Sequence, residues 1–183
     1  MKKELNINVR EIQREDIGLV TDYWLNSDPD FLVAMGVDLK KLPTRKELIQ
    51  VLTQQIENSL DQKQSYALIW ELNGEPVGHC NVNQIIFGQE AFMHLHLWKH
   101  LDRKNGMGSH LVRKSLSLFF EKLELEIIYC EPYTLNPAPN KTLAGIGFEF
   151  EKRYETIPGT LNFKQEVNRW KLTREKYMTL TSP

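Results

Sequence analysis

Arg103, Lys104, Asn105, Gly106, Met107 and Gly108 form the segment of this 183-residue chain whose residue types and spacing point most directly to chemistry. It joins an apolar run, Ala91 to Trp98, to an amphipathic one, Ser109 to Leu123. Two glycines where a strand feeds a helix bare successive backbone N–H groups, and the helix dipole favours negative charge at the same place. A side chain there would hold an anion away from the backbone, and glycine alone enters left-handed conformations without strain. The chemistry implied is the cradling of a phosphate or pyrophosphate.

Two further sets of residues can handle protons. His94 and His96 stand two apart on the run that leads into the cradle, so a strand there projects both from one face. Glu131 closes the next strand-like run, Leu125 to Cys130. His79 together with the His-x-His pair invites a zinc reading. No carboxylate or thiol stands at metal-ligand spacing, however, and no metal is assigned. Cys80 and Cys130 lie in strand-like runs without a CxxC pattern and read as buried thiols without a role.

The elements that position these residues follow from hydrophobic period. Leu5, Ile7 and Val9 alternate as in a half-buried strand, and Ile17, Val20 and Trp24 share one helical face. Asp28, Pro29, Asp30 and Gly36 read as a loop. Thr44 and Glu47 have capping-box spacing before an apolar stripe that runs to Leu60. Tyr66 to Leu72 and Val77 to Ile85 form a hairpin on Asn73-Gly74. The strand from Ala91, the helix from Ser109 and the strand from Leu125 form a crossover unit. A short helix from Asn136 stops at Gly145 and Gly147, and strands Phe148 to Thr156 and Val167 to Leu172 pair antiparallel.

Length and charge bound the rest. The chain suits one domain, taken as residues 1–178 with a short tail at 179–183. With 23 basic and 24 acidic side chains it offers neither nucleic acid nor a membrane a bulk electrostatic surface. No run has signal-peptide or membrane-span character, so a cytoplasmic protein is expected.

The order of elements, the RxxGxG of residues 103–108 and the segment from Asn136 to Gly147-Phe148 resemble the GNAT superfamily of acyl-CoA-dependent N-acyltransferases. The resemblance implies an α/β (α+β) domain whose central mixed, mostly antiparallel sheet is splayed and flanked by helices. It implies acetyl-CoA as co-substrate, its pyrophosphate held by Arg103 to Gly108 and Ser109. Its pantetheine arm would lie along the backbone of Leu97, Trp98 and Lys99, with Asn136 and Asn140 on the far side. The N–H of Leu97 would polarise the thioester carbonyl. An acidic residue followed by Pro and, five positions on, by Asn is similar to the pattern of aminoglycoside 6'-N-acetyltransferases and siderophore-type lysine N-acyltransferases. That likeness makes Glu131 the base or amine anchor, with His94 as partner and His96 as substitute.

A thioester is already activated, so an enzyme of this kind mainly positions a neutral amine and stabilises an oxyanion. The acceptor implied is a primary amine on a small cationic molecule. Acetylation of a protein N-terminus and acyl-CoA sensing without turnover are the alternatives. Many relatives carry a Tyr seven residues after the Asn as acid to the leaving thiolate; Leu143 stands there, and Tyr133 reads as loop packing. Trp24, Phe31, Met35, Asp28 and Asp30 border the acceptor side, although the two aspartates are also what a surface turn carries. The sequence is compatible with a monomer or a homodimer.

Overall fold

The computed structural model describes residues 6–98 and 106–181. Its strands are β1 (Ile7–Glu11), β2 (Ser65–Leu72), β3 (Glu75–Ile86), β4 (Glu90–Leu97), β5 (Ile127–Cys130), β6 (Glu149–Thr156) and β7 (Gln165–Thr173). They form one sheet in the order β1-β2-β3-β4-β5-β7-β6, antiparallel except between β4 and β5. The expected mixed, mostly antiparallel sheet is thus present. Asn73 and Gly74 turn β2 into β3 with φ of 53° and 84°, the twist a two-residue hairpin loop needs. The sequence pairs β7 with β6; in the structure β7 also pairs with β5 and lies between the two.

Helices α1 (Ile17–Asn26), α3 (Arg45–Glu57), α4 (Met107–Lys122) and α5 (Pro137–Ile146) occupy the periodic segments. The segment read as a loop holds a further helix, α2 (Pro29–Ala34). Asp28 caps it by accepting the Phe31 N–H at 3.1 Å, and Pro29 stands at its first position, where a missing N–H costs nothing. Helix α6 (Arg174–Thr181) continues past the point where the sequence reads as a tail. Its Tyr177 stacks on Phe120 with ring centroids 4.8 Å apart.

Apolar residues cover both faces of the sheet. On one face Leu111, Leu116, Phe119 and Phe120 of α4 and Leu143 of α5 pack against Leu68, Met93 and Ile128. On the other, Ile17, Val20 and Leu52 from α1 and α3 pack against Ala67 and Ile69. The parallel β4–β5 pairing is brief: Glu90, Ala91 and Phe92 face Ile127, Ile128 and Tyr129, and there it ends. β4 runs on to Leu97 with β3 as its remaining partner. The sheet parts between β4 and β5.

The start of α1 is fixed by a charged clamp. Arg10 of β1 donates to both oxygens of Asp16 at 2.6 and 2.9 Å and to Glu71 of β2 at 2.7 Å, while the Gln13 N–H reaches Asp16 at 2.8 Å. Burial by itself raises the Asp16 carboxyl, but Arg10 and the Gln13 N–H outweigh it and hold Asp16 below its usual value. The clamp sets the helix that carries Tyr23 and Trp24 toward the parted strands. A carboxyl with a lower pKa folded than unfolded stabilises fully above the unfolded value of about 4 and loses that effect as pH falls through the folded value. Asp16→Asn is therefore expected to lower stability at pH 7 by about 1–3 kcal/mol, a buried-pair loss discounted for the partial exposure of Arg10. Urea unfolding at pH 7 and pH 3 checks this; a deficit as large at pH 3 as at pH 7 would contradict it.

Candidate active site

Backbone alternation decides what the parted edge of β4 offers. The Trp98 N–H donates to the Val77 carbonyl at 2.9 Å, and the same register pairs His79 with His96 and Gly78 with Leu97. In an antiparallel ladder alternate residues turn their N–H and C=O toward one neighbour. The even-numbered residues of β4 therefore bond to β3, and Leu95 and Leu97 direct theirs into the gap. Trp98, expected with Leu97 to present its backbone to an arm in the gap, has its N–H engaged on the opposite side. Lys99 lies outside the described residues, as do Arg103, Lys104 and Asn105.

Gly106 is the N-cap of α4, in the left-handed region at φ 66°, and no side chain caps the helix. No described residue stands within 4 Å of where a Cβ on Gly106 or Gly108 would be, and the first turn carries no acidic residue. Ser109 and His110 turn their N–H groups back onto the Gly106 carbonyl at 3.0 and 3.3 Å. Those of Met107 and Gly108 have no acceptor among the described residues. Helix α3 is the contrast: there Thr44 and Glu47 satisfy the first turn by a capping box. The start of α4 thus leaves two N–H groups without a partner among the described residues.

Three imidazoles line the face of the sheet toward α1. His94 Nε2 lies 3.1 Å from Asn83 Oδ1, so the ring donates there and keeps Nδ1 as an acceptor. His79 Nδ1 accepts the Trp98 indole N–H at 2.7 Å, and its ring stacks on His96 at 4.4 Å. His96 Nδ1 is 3.3 Å from the Tyr23 hydroxyl. Burial pushes His94 down to about 4, His79 to about 3 and His96 well below the usual value, so all three are neutral at pH 7. Alternation along β4 pairs His94 with His96, but only the β3–β4 register brings His79 beside them. Among the described residues no group of three or more His, Cys, Asp or Glu is arranged to hold a metal.

Across the gap, the Glu131 side chain is 6% exposed. Its Oε1 accepts the Tyr154 hydroxyl and lies 3.2 Å from Arg169 Nε. Burial and the Glu131 carboxylate push the Tyr154 phenol up to about 12, so the proton stays on Tyr154. The Arg169 guanidinium also sits over the Tyr129 ring at 4.3 Å. Tyr154 holds Oε1 by a hydrogen bond and Arg169, which also faces Glu151 at 3.6 Å, by charge alone, which leaves Oε2 to face other groups. Tyr154 and Arg169 escaped the sequence reading because they come from β6 and β7, with no local spacing to Glu131.

Asn136 is the N-cap of α5; its side chain makes no capping bond and lines the cavity described below. Asn140 differs from the expectation. Its amide donates to the Tyr133 and Asn136 carbonyls at 3.2 and 2.9 Å, and its oxygen accepts Asn168 Nδ2 and Trp170 Nε1, each at 2.9 Å. With two donors and two lone pairs all occupied, it holds the turn after β5 in place and has nothing left for a cofactor. Tyr133 packs edge-on against Phe163 at 5.8 Å, and Leu143 is fully buried in the core.

These walls line a cavity of about 490 Å³. It runs from the gap, where Met93, Cys130, Asn136 and Pro139 line it, to a chamber beneath Trp24, Met35 and Leu52. Glu131 and His94 both face it, and Glu131 is the one charged side chain among its described lining residues. Burial pushes the Cys130 thiol up to about 12, which keeps it protonated and unreactive.

Residues 6–149 match the family model described as an acetyltransferase (GNAT) domain. No curated protein matches the chain in sequence. A solved structure of spermidine N-acetyltransferase from Vibrio cholerae, in complex with CoA and spermine, superposes with a TM-score of 0.75 at 18% identity, covering 94% of this chain and 98% of that one. An uncharacterized protein from Bacillus halodurans superposes with a TM-score of 0.69 at 12% identity, covering 95% and 87%. At such identities the likeness establishes the fold, and the family model adds the lineage: the chain belongs to the GNAT acetyltransferase family.

Proposed function

We propose that the protein transfers an acetyl group from acetyl-CoA to the primary amine of a small molecule by direct attack on the thioester. The parting of β4 from β5 carries this reading: it brings the backbone of Leu95 and Leu97, the Asn136 side chain and the Glu131 carboxylate to one opening. Acetyl-CoA supplies the activated acyl group. The N–H groups of Met107 and Gly108 hold its pyrophosphate, with Arg103, Lys104, Asn105 and Ser109 completing the loop. Leu97 donates its N–H to the developing oxyanion, which needs no reorganisation because the strand fixes it.

As the amine nitrogen bonds to the carbonyl carbon, Glu131 takes the amine proton on Oε2, since Oε1 accepts from Tyr154 and faces Arg169; the C–S bond then breaks and coenzyme A leaves as its thiolate. His94 has a different part. With a pKa pushed down to about 4 it is a poor store for a proton, but its neutral Nδ1 accepts a hydrogen bond and orients the amine lone pair. His96, wedged between Tyr23 and His79, supports the wall behind it. Acyl-CoA sensing without turnover is the reading that Leu143 favours, because it leaves no tyrosine acid at that position. A nearly buried carboxylate facing the cavity argues for turnover.

Two substitutions test the two halves of the site. Gly108→Asp adds an acid to the first turn of α4, which suits the helix dipole and is expected to leave thermal stability intact. Acetyl-CoA affinity should nonetheless fall about 100-fold or more through repulsion of the phosphates, read by calorimetric titration. Unchanged affinity would remove this helix from the coenzyme site. Glu131→Gln should keep acetyl-CoA affinity and lower kcat about 10²- to 10⁴-fold in a thiol-release assay; wild-type turnover would leave the reaction without its base.

A further inference from the structure

We propose that the acceptor is a monoamine with a hydroxyl-rich body, an amino sugar or amino polyol, rather than a polyamine or a polypeptide N-terminus. The inference rests on the acetyltransferase reading above. Charge is the first argument. Glu131 is the one carboxylate among the described lining residues, and one of its oxygens already faces Arg169. It can meet a single ammonium group, and each further ammonium of a polyamine would enter the chamber without a countercharge, which is costly in a partly desolvated site.

The second argument is what lines the chamber instead. Gln55, Gln64, Asn81, Asn83, Gln84 and Gln165, each with a carboxamide, are among its lining residues. Gln165 is 4% exposed, and although its Nε2 donates to the Gly36 carbonyl at 3.0 Å, its Oε1 has no donor. That oxygen has no exposed surface and abuts Gly36, so Gln165 shapes the wall and leaves the other carboxamides to meet a ligand. Gln84 holds a left-handed backbone, φ 49°, beside the irregularity in β3 between Asn83 and Ile86. Such a bulge re-aims side chains next to a site, and the conformation is uncommon away from glycine. A carboxamide both gives and accepts hydrogen bonds, as a hydroxyl does, whereas an ammonium only gives. The lining therefore complements a polyol.

The third argument is closure. The segment after α2 is bound to the β6–β7 loop over the chamber. The Asp38 N–H donates to Leu161 O at 2.8 Å, Asn162 Nδ2 to Gly36 O at 2.8 Å and Lys41 Nζ to Asn162 O at 2.7 Å. A Cβ on Gly159 of this loop would stand 3.7 Å from His94 Cε1, so the strap crosses beside the proposed amine position. The cavity, about 490 Å³, lies in the range of small-molecule pockets, about 300–1,000 Å³, and suits a compact acceptor better than an extended polypeptide.

The test is a thiol-release assay of the whole protein with saturating acetyl-CoA and, as acceptors, glucosamine, galactosamine, serinol, spermidine, spermine and a short peptide with a free N-terminus. At least one hydroxylated monoamine should exceed spermidine about 100-fold in kcat/KM. Gln64→Leu, at an exposed position where folding is not at risk, and Asn81→Leu should each raise KM for that monoamine about 10-fold with the KM for acetyl-CoA unmoved. Turnover of spermidine or the peptide at an equal or higher kcat/KM overturns the proposal and leaves the acetyltransferase intact. Acetyl-CoA binding with no turnover of any hydroxylated monoamine also overturns it. Failure to bind acetyl-CoA would overturn the acetyltransferase reading itself.

Discussion

A strand that runs on without a neighbour leaves N–H and C=O groups inside a protein that something must satisfy. β4 does so beyond Phe92, and the reason lies in the chain that follows β5. After Cys130 come Glu131 and Pro132, and a proline has no N–H to give a ladder. The chain keeps to the other side instead: Asn168 N–H bonds to Pro132 O at 3.2 Å and Thr134 N–H to Glu166 O at 3.0 Å. Holding to β7, it turns away from β4. The gap, the carboxylate at its lip and the turn that leads to Asn136 are all consequences of that one divergence.

The chamber behind the gap is electrically quiet. Three imidazoles are kept neutral by burial, Cys130 stays as a thiol, and Glu131, the one carboxylate among the described lining residues, is matched by a guanidinium on its far side. Such a wall attracts little by long-range field. Selectivity has to come from hydrogen bonds at contact distance, which reward the right partner less than they penalise a wrong one that leaves a buried group unpaired. Glu131 in turn depends on neighbours for its orientation, with Tyr154 and Arg169 fixing one oxygen so that the other points predictably.

What the sequence made legible was local. Gly106 and Gly108 at the start of a helix, Asn73-Gly74 in a hairpin, the capping box at Thr44 and the shared face of His94 and His96 each involve residues within a few positions of one another, where backbone geometry is decided by spacing. What it concealed was assembled across the sheet. His79 joins the other histidines through the β3–β4 register, and Asn140 is consumed by Asn168 and Trp170 of a strand far along the chain. Helix α2 is the exception, a local feature passed over: Asp28 followed by Pro29 is a helix start, and it was hidden by its equal likeness to a surface turn.

The place of β7 between β5 and β6 has a consequence for how the molecule is built. Arg169, Asn168 and Trp170 all sit on this strand, the last of the described strands in chain order, and they steady Glu131 and the turn before α5. During synthesis, β2, β3 and β4 can pair as successive neighbours, whereas β5 gains its second partner only some forty positions later. Until β7 docks, Glu131 has no guanidinium beside it and its strand is an open edge. Most of the sheet is thus made before the contacts of Glu131, and a ribosome-bound chain lacking β7 would have that carboxylate without Arg169 beside it.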